Sequence, residues 1–253
     1  MRRARHAAVV LALVAALPAA AYVLPVSGIL RRLGERRAAL ALETLEVQGT
    51  LVARGAAAER LAGVAGVRAT GREASASARF LMKVPGRCRL EIAAADVPEG
   101  QRPFVAVRDA KLTGPLAEVP AAAALVRAAC ALLATATAGD AGGAYAAVLA
   151  RRGVALGAAT LGRFDGRIAY VVGGRSKEAK PLLFVEKDGF QPLRLVSAEG
   201  KELLDVRLLG WGSPLGGDWF PRAVEVFAKD AALLRFDTEK ATTNARLPEA
   251  LFP

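Results

Sequence analysis

Between residues 159 and 240 the chain repeats one device: a short strand-like run, a tight turn, then another run. Asp165-Gly166, Asp188-Gly189, Glu199-Gly200 and a turn near Lys229-Asp230 join 159–164, Arg167–Gly173, Pro181–Lys187, Phe190–Ser197, Lys201–Leu209, 218–229 and 231–240. Connections this short leave no room for a crossover helix, so consecutive strands must be antiparallel neighbours. The expectation is a meander of about six strands. The missing βαβ alternation rules against a Rossmann-type nucleotide fold.

The period of two returns near the other end of the chain. Leu45, Val47, Gly49 and Leu51 alternate with Thr44, Glu46, Gln48 and Thr50, the pattern of a half-buried strand. Ala74–Val84 and Arg87–Ala93 flank a Pro85-Gly86 turn, and Phe104–Asp109 is a shorter run; all three read as strands. Residues 54–73, with four glycines, read as a connection or a short helix. Ahead of them, Ser27 is placed to cap a helix reaching about Leu42. Ile29, Leu30, Leu33 and Leu40 lie on one side of it, and Arg31, Arg32, Glu35, Arg36 and Arg37 largely on the other. The charged side is either the solvated face of a packing helix or a contact for an anionic membrane surface.

The middle of the chain differs in kind. Pro120 opens an apolar run to Ala138, interrupted only by Arg127. A helix apolar all round is buried on more than one side or crosses a membrane; Arg127, the leading proline and the dominance of alanine favour burial. Gly142–Arg152 forms a second short helix, with Gly153 placed to end it. Some strands are apolar on both faces, as at Leu182-Leu183-Phe184-Val185, so both faces are covered there. An apolar sheet face roofed by apolar helices either encloses a cavity suited to acyl chains or is a filled core.

The N-terminus speaks to compartment. Met1-Arg2-Arg3-Ala4-Arg5, the apolar run Ala7–Leu17 and the small residues Pro18-Ala19-Ala20-Ala21 have the layout of a secretory signal. The expectation is residues 1–21 as a signal peptide cleaved after Ala21, residues 22–253 as one domain, and a periplasmic location. The alternative is an uncleaved signal that anchors the chain in the inner membrane, since the apolar stretch continues through Tyr22-Val23-Leu24. In an oxidising compartment Cys88 and Cys130 form a possible disulfide; the other reading is two buried thiols.

Net charge is +11, from 35 Lys plus Arg against 24 Asp plus Glu. Three positive charges fall in the signal segment, leaving 11 − 3 = +8. The basic residues are dispersed, without the clustering and interleaved aromatics of a nucleic-acid surface. The lone histidine, His6, lies in that same segment, so the exported domain lacks an imidazole for a triad, a general base or a zinc ligand. Gly142-Gly143, Gly173-Gly174 and Gly216-Gly217 lack the Lys-Ser/Thr and strand-to-helix setting of a phosphate loop. Asp205, Asp218, Glu225 and Asp237 read as solvated strand faces. The composition points away from an enzyme, and no cofactor or metal is implied.

The order of elements resembles the LolA/LolB lipoprotein-carrier superfamily. The matching features are the signal, a helix feeding a long strand (Ile29 to Ala53), paired strands, a helical insertion (Pro120 to Arg152) and a final meander. In sequence the likeness rests on Leu182–Arg194, Asp218-Trp219-Phe220-Pro221 and Leu247–Phe252. It implies a mainly β fold with α: a curved antiparallel sheet, or half-open β-barrel, covered by a helical lid at about 120–152. It also implies a monomeric periplasmic carrier or chaperone that binds lipid or lipoprotein acyl chains and moves acylated cargo between inner and outer membranes, with transient contacts to both. The alternative is an envelope-stress regulator of the same fold that binds a membrane-anchored protein. Under the carrier reading the cavity would be lined by Leu45, Val47, Phe80, Met82, Leu90, Ile92, Leu125, Leu132, Leu133 and Phe184.

Overall fold

The computed structural model describes residues 23–93, 97–98, 101–136, 139–200 and 202–253. The expected signal segment, residues 1–21, lies outside them. Helix α1 (Val26–Ala38) leads into β1 (Thr44–Arg54), α2 (Ala56–Ala65), β2 (Ala69–Thr70), β3 (Glu73–Lys83), β4 (Arg87–Ile92), β5 (Phe104–Arg108) and β6 (Lys111–Thr113). Then come α3 (Pro120–Leu133) and α4 (Ala141–Arg151). The meander follows as β7 (Ala159–Phe164), β8 (Arg167–Val172), β9 (Leu182–Glu186), β10 (Pro192–Glu199), β11 (Glu202–Leu209), β12 (Ala223–Ala228) and β13 (Ala231–Thr243).

All strands join one antiparallel sheet in the order β6-β5-β4-β3-β1-β13-β12-β11-β10-β9-β8-β7, with β2 paired to β3. The meander thus runs to seven strands, and β1 unites it with the first hairpins by pairing β3 on one side and β13 on the other. The sheet does not close, since the chain of pairings ends at β6 and β7. The fold is mainly β: an open, curved antiparallel sheet with helices over one face.

Alternation sets the faces. Along β1, Leu45, Val47, Gly49, Leu51 and Ala53 are buried while their neighbours are half-buried or exposed. Cross-strand partners share a face, and the inward set extends through Met82, Phe80, Leu90 and Cys88 on one side. Gly49 sits at a register shift, where a side chain would strike the Phe236 ring and the Asp237 backbone. Without one, Phe236 lies edge-on to Phe220, which in turn meets Phe80 with ring centroids 5.1 Å apart. The other face is ionic along β10–β13: Asp205 accepts from Arg194 (2.7 Å) and Arg207 (2.9 Å), and Arg235 engages Asp237 (2.7 Å) and Glu225.

Three local expectations differ from the structure. Helix α1 begins at Val26 behind Pro25, and Ser27 lies within its first turn and makes no cap; a serine caps from the residue before the first helical turn, a position that Pro25 holds. The β9–β10 turn is wider than Asp188-Gly189: strand pairing stops at Glu186 and resumes at Pro192, and Phe190 takes the left-handed conformation with φ 53°. Its ring stacks on Tyr170 at 6.0 Å, which holds that backbone in place. Residues 211–222 form a loop before β12, because Pro214, Pro221 and the positive φ of Gly212 and Gly217 interrupt a strand.

Candidate functional site

Helix α3 is the roof of the inward face. Twelve of its fourteen residues are buried, and it packs on β4, β5 and β10–β13. An Ala-rich helix approaches a sheet closely, and its few large side chains, Leu125, Leu132 and Leu133, fill what remains; each contributes about 1.5–3 kcal/mol on burial. The helix ends at Leu133, short of Ala138, where the Thr135 hydroxyl donates back to the Ala131 carbonyl (2.6 Å). Among the described residues no helix is long and apolar enough to cross a membrane.

Of the ten side chains expected to line a cavity, all are at most 3% exposed and belong to one core cluster. Leu45, Val47, Phe80, Met82, Leu90 and Ile92 share the inward strand face, as the pairing registers show, and Leu125, Leu132 and Leu133 meet them from α3. Phe184 stands on the opposite face. It pairs with Arg194, and through that strand with Arg207, Glu225, Arg235 and Val52, the outward set. There it lies against Phe164 (6.0 Å between ring centroids) with the Arg194 guanidinium 4.8 Å from its ring. The run Leu182–Val185 has no alternation, so nothing in it marked which parity points inward.

Four attachments hold the helical layer down. Cys88 of β4 and Cys130 of α3 are joined as a disulfide, their Cα atoms 5.7 Å apart. Glu199, at the end of β10, pairs with Arg127 of α3 and with Arg152 at the end of α4 (3.3 Å). Burial holds the Arg152 guanidinium below its ordinary pKa, with Glu199 opposing. Tyr145 of α4 donates to the Leu132 carbonyl (2.9 Å), and burial pushes its phenol up to about 12.

The fourth is Arg37, which sequence periodicity set on the charged side of α1 and which is 5% exposed. Its guanidinium donates to the carbonyls of Leu133 (3.3 Å), Asp218 (3.2 Å) and Trp219 (3.3 Å). It thereby joins α1, the end of α3 and the 211–222 loop in a single contact. Desolvation lowers its pKa, and no carboxylate bonds it directly. The carbonyls at the C-terminal end of α3 carry the negative end of the helix dipole and supply part of the compensation. Nothing local in the sequence signalled this role, since the three acceptors are backbone atoms 96 to 182 residues away.

Two cavities border the helices. One of about 260 Å³ lies beside Arg37, between Leu42, Val84, Leu133 and Thr135. The other, about 570 Å³, opens where the first turns of α1 and α4 diverge; Leu30, Ala146 and Leu156 form its apolar wall, and Arg31 and Asp140 also line it. Pockets of about 300–1,000 Å³ are the usual size for small ligands. Leu133 is the one member of the expected lining set at either cavity. Among the described residues there is no cluster of three or more His, Cys, Asp or Glu able to hold a metal ion.

No family model matches the chain, and no curated protein matches it in sequence. Solved structures do resemble it. A LolA superfamily protein from Nitrosomonas europaea is 13% identical with a TM-score of 0.47, covering 91% of this chain and 98% of that one. An outer membrane lipoprotein-sorting protein domain from Vibrio parahaemolyticus is 8% identical with a TM-score of 0.46, covering 88% and 95%. A DUF1329 family protein from Desulfovibrio piger is 12% identical with a TM-score of 0.44, covering 91% and 98%.

Proposed function

We propose that the protein is a non-enzymatic, periplasmic carrier that shields an acyl chain of a lipid or lipoprotein between the inward sheet face and its helices. The observation that carries this reading is the contrast between roof and ties. A continuous apolar surface on an open sheet faces a helix whose one charged side chain is Arg127, while the polar ties of the helical layer are few, at Arg37, Arg127 and Arg152. Parting the α1–α4 pair from that layer breaks the few bonds of Arg37, Tyr145 and Arg152 and exposes apolar area that an acyl chain would cover at about 25 cal/mol per Å².

The disulfide ties α3 to β4 covalently, so the moving part under this reading is the α1–α4 pair. Those helices pack tightly on each other, with Gly34 against Ala141. The 570 Å³ cavity between their first turns is the portal through which a chain enters. Entry displaces core side chains such as Leu30 toward the opening. The closed form has its core filled, which is the state of lowest energy without cargo.

Native mass spectrometry and lipid extraction of protein exported to a periplasm test the proposal. Lipid bound in about one-to-one ratio, displaced by a fluorescent fatty acid, is the expected result. Protein that stays empty and takes up no fatty acid overturns it. An empty protein that captures one membrane-anchored partner would put the regulator reading in its place.

A further inference from the structure

The 211–222 loop carries two of the three large apolar side chains that the described residues expose: Leu215, 43% exposed, and Trp219, 37% exposed. Pro214 beside them is exposed as well. The loop is held by its own hydrogen bonds: Gly217 N–H to the Ser213 carbonyl (2.7 Å), Gly212 N–H to the Gly217 carbonyl (3.0 Å) and Gly216 N–H to the Ser213 hydroxyl (3.2 Å). Gly217 lets the indole of Trp219 lie against the backbone, since a Cβ there would stand 2.9 Å from the ring. These side chains are therefore presented outward by an ordered loop.

The same loop is tied to the basic helix. Asp218 pairs with Arg36 of α1 and accepts from Gln191 (3.3 Å). Next to Gln191, the Phe190 ring sits 5.4 Å from the guanidinium of Arg32. Arg31 and Arg32 are exposed. Arg31, Arg32, Arg36 and the buried Arg37 stand with Glu35, Asp218 and, across the cavity between α1 and α4, Asp140, leaving 4 − 3 = +1. Apolar tip, indole and flanking guanidinium groups match the layers of an anionic bilayer surface: leucine reaches the acyl boundary, tryptophan the headgroup level, arginine the phosphates.

We propose that Leu215 and Trp219, flanked by Arg31, Arg32 and Arg36, form a docking surface for anionic lipid bilayers. It extends the carrier reading by naming the surface that meets donor and acceptor membranes. The loop also accepts from Arg37 at Trp219, so contact with a bilayer acts on the residue that joins α1 to the end of α3.

Flotation of the full chain with vesicles of phosphatidylcholine containing 30% phosphatidylglycerol, against vesicles of phosphatidylcholine alone, tests this. Preferential flotation with the anionic vesicles is expected, weakened by salt and accompanied by a blue shift of tryptophan emission that W219F abolishes. Replacing Arg31 and Arg32 by Gln should lower partition about fivefold each, and L215S with W219S should lower it roughly tenfold or more. Equal flotation on both vesicle types, or variants that float like the parent, overturns the proposal; so does capture by an acidic protein in place of vesicles. Circular dichroism and thermal melting check that the variants fold. Fatty-acid binding by the Arg32→Gln variant and by L215S with W219S, whose side chains do not line the 570 Å³ cavity, should match the parent, so loss of docking with retained binding is distinct from failure of the carrier reading.

Discussion

Reducing the Cys88–Cys130 bridge is the perturbation whose magnitude the structure sets most directly. The two cysteines are 42 residues apart in sequence, and both are buried, at 0% and 4% exposure. The loop they close carries β4 through α3. In the chain-entropy model a loop of that length removes about 13 cal/mol/K from the unfolded ensemble, or about 4 kcal/mol at 25 °C. For a domain of this size that is roughly 8–16 °C in melting temperature. In urea it is about 1.5 M in midpoint at a slope near 2.5 kcal/mol/M. The assay is urea unfolding followed by tryptophan fluorescence, with and without a phosphine reductant, beside a C88A/C130A double variant. A loss below about 1 kcal/mol both on reduction and in the double variant would refute the reasoning, because the bridge would then not be constraining an otherwise open chain. The same samples report which helix moves. Bound fatty acid should exchange at equal rates in oxidised and reduced protein, since α1 and α4 carry the opening. A reduced form that exchanges tenfold faster would assign the motion to α3.

Two more outcomes follow from single residues. Tyr145 has its phenol pushed up to about 12 by burial, so the unfolded chain ionises near pH 10 while the folded one keeps its proton. The stability is fully present below pH 10 and is lost as pH rises toward 12, by about 3 kcal/mol. Urea midpoints from pH 8 to 11.5 should fall accordingly, with a shallower fall in Y145F, which gives up the bond to Leu132 at about 1 kcal/mol; parallel slopes would reject the assignment. At Gly34 an added Cβ meets Ala141 of the neighbouring helix, so G34L forces α1 and α4 apart and should cost about 1–3 kcal/mol in urea unfolding. A G34L protein as stable as the parent would show that the two helices are not in close contact.

Much of this protein is legible in its sequence. Turn residues and a period of two are local physics: Asp165-Gly166 adopts positive φ at both positions, and the alternation of β1 puts Leu45 and Val47 inward. The meander, expected at about six strands and found at seven, and the existence of the apolar helix α3 follow from such signals without reference to the rest of the chain. The inward position of six expected lining residues follows from strand parity once the strands are placed.

Only the tertiary structure decided the rest, because the determining contacts join segments far apart in the chain. The position of β1 between β3 and β13 joins residues almost two hundred apart, and no local pattern encodes that pairing. Phe184 lies in a run apolar on both faces, so its side is set by the register of β9 against β10. Arg37 looks like one more charge on a basic helix until the loop at Asp218 and the end of α3 close around it. Burial of a cation depends on where three backbone carbonyls arrive, and the sequence of α1 holds no record of that.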